Sequence, residues 1–248
     1  MLRRLLATAT AGMVMATPGL AEGVRYDVGD ADYDGYFAAA PEEPRGLVVI
    51  VHDWDGLTDY EMRRADMLAE LGYDAFAIDV FGAGNRPETV EARRAATQEA
   101  FSDRDRLIEI VTGGLAAARD ASSAETAVVT GYCFGGGVAL AAARSGSLED
   151  VAGYSTFHGS FPDGPDWPQS TPPIQVKHGG ADESVTLDDL NSFIEDAEAA
   201  DLTYEIEIYS GAPHAFTDFG SDRYRERADE LSWQAFQAFL DRRLGSVG

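Results

Sequence analysis

The chain has 248 residues and a single cysteine, and its 43 acidic and 19 basic side chains give a formal net charge of −24. A surface this acidic repels nucleic acids and anionic lipid headgroups, so neither is expected as a partner. One cysteine cannot form an internal disulfide bond. Its thiol is therefore expected to be either buried and inert or kept for its reactivity.

Residues 1–21 have the pattern of an export signal. Arg3 and Arg4 give a positive start, a short apolar stretch follows, and residues 19–21 offer the small side chains at which a signal peptidase cuts. The apolar stretch is too short to span a bilayer, and no other segment predicts integral membrane association. We therefore expect cleavage after Ala21 and a periplasmic or secreted protein.

From residue 22 to residue 248, apolar runs alternate with stretches of helical spacing. The expected strands are an antiparallel pair at 24–28 and 32–40, then 45–51, 74–80, 126–131, 151–159 with its loop, 173–179 and 203–211. The expected helices are 60–72, 88–119 with a break around Ser102-Asp103, 134–145, 187–201 and about 222–243. This alternation predicts a single α/β domain over 22–248, with a mostly parallel central sheet and helices on both faces.

The cysteine lies in TGYCFGGG (130–137), between a β-branched apolar run and an alanine-rich stretch of helical character. Gly131, Cys133 and Gly135 form G-x-C-x-G, the nucleophile-elbow arrangement with Cys in place of Ser. The glycines allow a strained turn that lifts the sulfur above the sheet, and the N-terminus of the following helix favours a thiolate. A buried, inert cysteine in a closely packed junction is the alternative interpretation of the motif alone.

A cysteine nucleophile needs a base, and the base needs an acid that orients it. Asp182 and His214 each follow a predicted strand, where parallel sheets form their sites. The chain order of nucleophile, acid and histidine is the order found in α/β-hydrolases. Glu183 remains an alternative to Asp182, whereas Glu195 is expected on a solvated helix face.

Two backbone amides are expected to form an oxyanion hole, which stabilises the negative charge that appears in the transition state. One is the amide of Phe134, which follows the nucleophile, and the other is that of Trp54 in the loop HDWDG (52–56). His178 is expected to be structural, with its ring bonded to the backbone, and His158 to be structural or to face the pocket. The sequence shows no metal-ligand cluster and no dinucleotide or phosphate loop, so no metal and no cofactor are expected.

The sequence resembles the dienelactone hydrolase family of α/β-hydrolases. The resemblance rests on VVIVHDWDGL, DAFAIDVFG, TGYCFGGG, KHGGADESV and APHAF, and it spans nearly all of the mature chain. It implies the α/β-hydrolase fold, with Cys133 as nucleophile, His214 as general base and acid, and Asp182 as the acid that orients it. It also implies that an acidic residue of the first loop contacts the cysteine and helps to activate it. That position holds Asp53, where the family has Glu.

Family members that cleave dienelactone hold the carboxylate of the substrate with arginines, one of them a few residues after the catalytic histidine. The matching position here is Asp218, and the first arginine after it is Arg223. Arg86, Arg93 and Arg94 are the other arginines that we consider near the pocket. An aspartate repels a carboxylate, so dienelactone itself is not the expected substrate.

These patterns predict an exported, cysteine-dependent hydrolase of small esters or lactones that acts through a thioester acyl-enzyme. The expected partner is a small-molecule substrate, and the protein is expected to be a monomer or a homodimer. A binding protein that keeps the hydrolase fold with little or no catalysis is the alternative. A thiol redox role ranks last, because the chain has no second cysteine to resolve an oxidised thiol.

Overall fold

A computed structural model describes residues 21–245 of the chain, which form one mixed sheet with helices packed on both of its faces. The strands are β1 (Ala21–Val28), β2 (Ala31–Ala38), β3 (Leu47–Val51), β4 (Asp74–Ile78), β5 (Ala127–Tyr132), β6 (Val151–Phe157), β7 (Ile174–Gly179) and β8 (Tyr204–Tyr209). The predicted export signal, apart from Ala21, lies outside the described residues.

The order of strands across the sheet is β1-β2-β4-β3-β5-β6-β7-β8. β1 pairs with β2 and β2 with β4 in antiparallel fashion, whereas the pairs from β4 through β3 to β8 are all parallel. The predicted α/β fold and the N-terminal antiparallel pair are therefore confirmed. Because β3 and β5 to β8 run in one direction, the loops that follow them meet at the same edge of the sheet.

The helices are α1 (Asp59–Glu70), α2 (Val90–Ser102), α3 (Arg104–Ala121), α4 (Phe134–Ser145), α5 (Leu187–Ala199) and α6 (Glu226–Leu244). The break predicted around Ser102-Asp103 is present, because the Asp103 side chain accepts a hydrogen bond from the amide of Arg106 and so caps α3. α6 begins later than predicted, since the amide of Arg225 donates to the carbonyl of Phe216 in the preceding loop. Among residues 21–245, no helix has both the length and the hydropathy that a membrane span requires.

Alternate residues of the central strands face two separate cores. Val49 packs in a core with side chains of α3, α4 and α5, whereas Ile50 packs in a core on the opposite face with side chains of α1 and α6. α2 differs from the other helices because none of its side chains is fully buried. It lies on the α3 face of the sheet, where only Ala100 and Phe101 pack partly against the core.

The elbow glycines permit very close backbone packing where α4 begins. A Cβ atom added at Gly131 would lie 2.2 Å from the carbonyl carbon of Gly135, and one added at Gly135 would lie 2.2 Å from the carbonyl oxygen of Val51. Both contacts are with backbone atoms, which cannot rotate out of the way as a side chain can. Glycine is therefore required at both positions for the helix to start against β3 and β5.

Gly135→Ala is expected to lower the free energy of unfolding by about 3 kcal/mol, because the added methyl group forces α4 away from β3. Urea unfolding followed by circular dichroism measures this loss. Gly23→Ala is the matched control, since no atom of the described chain lies within 4 Å of the position of its added Cβ. Equal urea midpoints for the two variants would contradict the close-packing argument.

Candidate active site

Cys133 stands at the turn between β5 and α4 in a conformation that residues other than glycine rarely adopt. Its φ is 49° and its ψ is −113°. Its backbone N–H donates both to the carbonyl of Phe157 at 3.0 Å and to Nδ1 of His158 at 3.2 Å. Strain of this kind persists only where the surroundings fix it, and here two neighbouring segments of chain do so.

The structure brings three of the predicted site residues into one hydrogen-bonded line. Nε2 of His214 lies 3.0 Å from Sγ of Cys133, and Nδ1 of the same ring lies 2.8 Å from Oδ2 of Asp182. A carboxylate can only accept, so Nδ1 carries the proton of the neutral ring and Nε2 presents its lone pair to the thiol. Glu183, the alternative acid, is exposed to solvent, whereas the acid bonded to His214 is Asp182.

Asp182 is held as a carboxylate by its hydrogen bonds. Its Oδ1 accepts from the amides of Ser184 at 2.8 Å and Val185 at 2.9 Å. Burial raises the pKa of Asp182, but the hydrogen bond and charge of His214 together with these amides outweigh it and lower the pKa below its ordinary value. An ionised Asp182 fixes the tautomer and the orientation of the His214 ring.

The Cys133 thiol is neutral in this resting arrangement. Burial raises its pKa well above the ordinary value, and the nearby carboxyl of Asp53 raises it further by its charge and by a hydrogen bond. The Phe134 amide, which contacts the sulfur, acts in the opposite direction but is weaker. The start of α4 therefore favours the thiolate, as the motif predicts, but burial and Asp53 oppose it more strongly.

Asp53 lies in a loop that is fixed from both sides. Its amide donates to Oε1 of the buried Glu61 at 3.2 Å, and its carbonyl accepts from Nδ1 of His52 at 2.5 Å. Nε2 of His52 in turn accepts from the amide of Val80 at 3.1 Å. Burial raises the pKa of Asp53 to about 7, despite its hydrogen bond from the Trp54 amide. The Asp53 carboxyl is therefore a weaker acid than an exposed aspartate.

Both amides that the sequence predicts as oxyanion donors lie beside Cys133, and the Trp54 amide already has an acceptor. The Trp54 amide donates to Oδ1 of Asp53, and the Phe134 amide contacts the sulfur of Cys133. The side chain of Asp53 thus occupies one of the two amides that the sequence predicts as oxyanion donors.

A cavity of about 270 Å³ opens onto the sulfur. Its walls are formed by Trp54, Thr97, Gln98, Phe101, Cys133, Phe134, Ser160, Val185 and His214. Among these wall residues, His214 is the only titratable side chain besides Cys133. The sequence reasoning missed Thr97 and Phe101, although their i, i+4 spacing on α2 is the signal that places them on one helix face.

None of the arginines considered from the sequence lines this cavity. Arg93 and Arg223 line an adjoining polar cavity of about 370 Å³ together with Asp53 and Asp218. Arg93 also forms an ion pair with Asp55 at 3.5 Å. Arg86 pairs with the buried Asp79 at 3.5 Å, and Arg94 is exposed on α2.

His158 and His178, the two remaining histidines near this edge of the sheet, differ in their hydrogen bonding. The His158 ring is buried and bonds to the backbone of the elbow, while Nε2 contacts Oγ1 of Thr217 at 2.8 Å. His178 is also buried, but neither ring nitrogen has a hydrogen-bond partner of good geometry within 21–245, so the expected bonding to the backbone is absent there. Glu195 is exposed on α5 as expected.

Between residues 21 and 245, no group of three or more His, Cys, Asp or Glu side chains is placed to hold a metal ion. The groups that meet at this edge of the sheet are a thiol, an imidazole, carboxylates and backbone amides. A cysteine elbow at the carboxyl edge of a mostly parallel sheet, with an imidazole against its sulfur, defines an α/β-hydrolase.

The model of the dienelactone hydrolase family matches residues 33–244, and the chain belongs to that family. It is a hydrolase of carboxylic esters in the broad sense that includes lactones. A carboxymethylenebutenolidase of Rhodococcus opacus is 26% identical over 222 residues, and the match covers 84% of this chain and 86% of that protein.

Solved structures agree with this fold. The structure named m3DLH has a TM-score of 0.84 and 25% identity, and the match covers 92% of this chain and 99% of that one. A dienelactone hydrolase-like promiscuous phosphotriesterase from metagenomic libraries has a TM-score of 0.83 and 24% identity over the same shares of the two chains. At this identity, the second likeness concerns the fold alone.

Asp53→Asn is expected to move the pH midpoint of Cys133 alkylation by iodoacetamide downward, by about one unit. The substitution removes the negative charge that raises the pKa of the thiol, so the thiolate forms at lower pH. Asp27→Asn, which removes the same charge from an exposed position of β1, is the control. An unchanged or higher midpoint in Asp53→Asn would mean that Asp53 does not govern the thiol.

Proposed function

We propose that this hydrolase cleaves small, uncharged esters or lactones through a thioester acyl-enzyme, with Cys133, His214 and Asp182 as its catalytic residues. The observation that carries the proposal is the contact of 3.0 Å between Nε2 of His214 and Sγ of Cys133, made by a ring whose Nδ1 bonds to Asp182. This is the geometry in which an imidazole takes a proton from a nucleophile.

The reaction begins when the Cys133 thiol gives its proton to Nε2 of His214 and Sγ attacks the carbonyl carbon. The negative charge on the former carbonyl oxygen is held by the amides of Phe134 and Trp54. When the tetrahedral intermediate collapses, Nε2–H protonates the departing alkoxide and a thioester remains. His214 then takes a proton from water as the water attacks the thioester, and Cys133 leaves and is reprotonated.

Asp53 is proposed to couple substrate entry to activation of the thiol. In the resting site its carboxylate accepts from the Trp54 amide and raises the pKa of Cys133. A substrate carbonyl that takes the Trp54 amide displaces this carboxylate, and the charge that opposes the thiolate moves away from the sulfur. Aspartate is shorter than the glutamate of the family, but its carboxyl already lies beside the thiol in this loop.

The charges around the nucleophile support an uncharged substrate. Among its described wall residues, the cavity at Cys133 offers no cation apart from a protonated His214. The adjoining polar cavity has two arginines, but it also has five carboxyl groups, those of Asp53, Asp55, Glu61, Asp218 and Asp222. Burial raises the pKa of Asp218 and the carboxylate of Asp55 raises it further, whereas a hydrogen bond with Ser221 and the charges of Arg223 and Arg93 lower it. A carboxylate on either part of an ester therefore meets an apolar wall or a cavity in which acidic groups outnumber the arginines.

We also propose that residues 1–21 direct export and are removed after Ala21, which makes the protein periplasmic or secreted. The support is the charged start, apolar stretch and small-residue end of this segment. The mass of the protein recovered from the periplasm or medium of a bacterial host tests the proposal. It should correspond to a chain that starts at Glu22, and an intact chain in the cytosol would refute export.

Cys133→Ala is expected to reduce hydrolysis of p-nitrophenyl butyrate by about 10³-fold or more in kcat/KM, since no nucleophile remains. Thermal unfolding checks that the variant is folded. Full activity in a folded Cys133→Ala protein would refute the thioester mechanism. Absence of turnover in the wild type would instead favour the binding-protein alternative.

The identity of the orienting acid is tested by a pair of neighbouring substitutions. Asp182→Asn is expected to lower kcat by at least about 10²-fold, because the His214 ring loses the carboxylate that fixes its tautomer. Glu183→Gln changes the adjacent exposed carboxylate and is expected to leave kcat unchanged. The steady-state rates on p-nitrophenyl butyrate would contradict the assignment if Glu183→Gln were the more damaging change.

The preference for uncharged substrates is tested with two esters of similar size. We expect kcat/KM for p-nitrophenyl butyrate to exceed that for the mono-p-nitrophenyl ester of succinic acid by at least about tenfold. Asp218→Asn removes one of the repelling charges and is expected to narrow this ratio roughly two- to fivefold, as one partly screened charge would. A succinate ester that is hydrolysed as well as the butyrate would refute the preference.

A further inference from the structure

His158 connects the nucleophile elbow to the loop that carries His214. It follows β6 with a left-handed φ of 41° and is buried. Its amide donates to the carbonyl of Lys177 at 2.8 Å, and its ring Nδ1 accepts from the amide of Cys133 at 3.2 Å. On the other side of the ring, Nε2 lies 2.8 Å from Oγ1 of Thr217. Three contacts therefore fix a residue whose backbone conformation is itself unfavourable.

These contacts allow only one protonation form of the ring. A backbone amide can only donate, so Nδ1 of His158 is a bare acceptor toward Cys133 and the single proton of the neutral ring is on Nε2. Nε2–H then donates to Thr217, whose Oγ1 lies 2.7 Å from the hydroxyl of Tyr60. That hydroxyl also accepts from Nε of Arg64 at 3.3 Å. A proton on Nδ1 would point at the amide hydrogen of Cys133 and push the elbow away.

The ring of His158 also faces the imidazole that contacts the sulfur. The centroids of the His158 and His214 rings are 5.2 Å apart, and their planes meet at 66°. A positive charge on one ring opposes protonation of the other at this separation. Titratable, charged or polar groups face His158 from several elements: His214 and Thr217 from the loop after β8, His178 from β7, and Arg64 and Tyr60 from α1.

Burial lowers the pKa of His158 well below its ordinary value, and the charges of His214, Arg64 and His178 lower it further. Within the described part of the chain, no carboxylate bonds to its ring, in contrast to His214, which has Asp182. His158 thus remains uncharged while its neighbour can take up the proton of the thiol. His158 and His214 therefore differ in protonation: His158 stays neutral, whereas His214 can gain and lose a proton.

We propose that His158 is a positioning residue for the hydrolysis proposed above. It is held as the Nε2–H tautomer between Cys133 and Thr217, and in this form it keeps the elbow in the position in which Sγ faces His214. His214 is then the imidazole that carries the reacting proton. His158 does not touch the substrate or the sulfur in this role. It acts through the backbone amide of the nucleophile and through its own lack of charge.

Two substitutions of His158 distinguish the contribution of the acceptor atom to kcat from that of the rest of the ring. His158→Asn keeps an acceptor oxygen near the place of Nδ1, and asparagine tolerates a left-handed φ. We expect its kcat on p-nitrophenyl butyrate to stay within about fivefold of the wild type. His158→Leu has no acceptor and is expected to lose roughly 10- to 100-fold in kcat, with KM changed by less than about twofold.

The pH dependence of kcat/KM distinguishes a positioning residue from a proton carrier. His158→Asn removes a group that stays neutral, so both limbs of the profile should remain within about 0.3 pH unit of the wild type. A displaced or missing limb in this variant would show that His158 itself exchanges protons in the reaction, and would overturn the proposal. Equal kcat in folded His158→Asn and His158→Leu proteins would overturn it as well.

A third variant covers the case in which leucine at a left-handed position prevents folding. Thr217→Val keeps the shape of the side chain but leaves the buried Nε2–H of His158 without an acceptor, a cost that His158→Asn avoids because asparagine has no such N–H. Roughly a tenfold loss of kcat with unchanged KM is expected. Thr130→Val is the matched control, because the Thr130 hydroxyl on β5 is equally buried and has no hydrogen-bond partner among residues 21–245. Equal kcat in the two variants would overturn the role of the Thr217 contact.

The rate at which iodoacetamide alkylates Cys133 at fixed pH tests the proposal without an ester substrate. His158→Leu and Thr217→Val should slow it by roughly tenfold, since Sγ loses its alignment with His214, whereas His158→Asn and Thr130→Val should not. If even the wild type hydrolyses no ester, the proposed function fails while these rates still decide the inference. Unchanged alkylation in all four variants would overturn the inference and leave the hydrolase proposal standing.

Discussion

The active site depends on how closely the start of α4 can approach β3 and β5. A methyl group at Gly135 would lie 2.2 Å from the carbonyl oxygen of Val51, so the elbow exists only because this position has no side chain. The close approach forces Cys133 into its unusual backbone conformation and directs its sulfur to the edge where His214 and Asp182 arrive from other loops. The geometry of the thiol is thus set by backbone packing beneath it.

In the resting state, the electrostatic surroundings of Cys133 disfavour its thiolate. Burial and the Asp53 carboxyl both raise the pKa of Cys133, while Asp182 holds the proton of His214 on the nitrogen that faces away from the sulfur. A neutral thiol is less prone to oxidation than a thiolate, which is useful for a protein with a single cysteine. Under the proposed mechanism, reactivity is then generated mainly when a substrate rearranges the Asp53 loop.

Much of this arrangement could be predicted from the sequence, because the spacing of apolar residues and the residues that form turns are local features of the chain. The positions of Cys133, Asp182 and His214 after three of the parallel strands followed from the alternation of strands and helices. The engagement of the Trp54 amide by Asp53 could not be predicted, because it depends on a side-chain rotamer. The contact of Thr217 with Tyr60 joins residues far apart in the chain, and the surroundings of the His178 ring depend on packing from several elements.

The helix that lines the cavity at Cys133 is the one helix without a fully buried side chain among residues 21–245. α2 has no fully buried side chain, yet Thr97 and Phe101 line the cavity that Cys133 also lines. Substitutions on this helix can therefore reshape the substrate cavity at little cost to folding, unlike changes at the elbow itself. Selection acting on such a chain has a region in which specificity can drift while the catalytic framework stays constant, and relatives with a common framework can diverge in what they cleave.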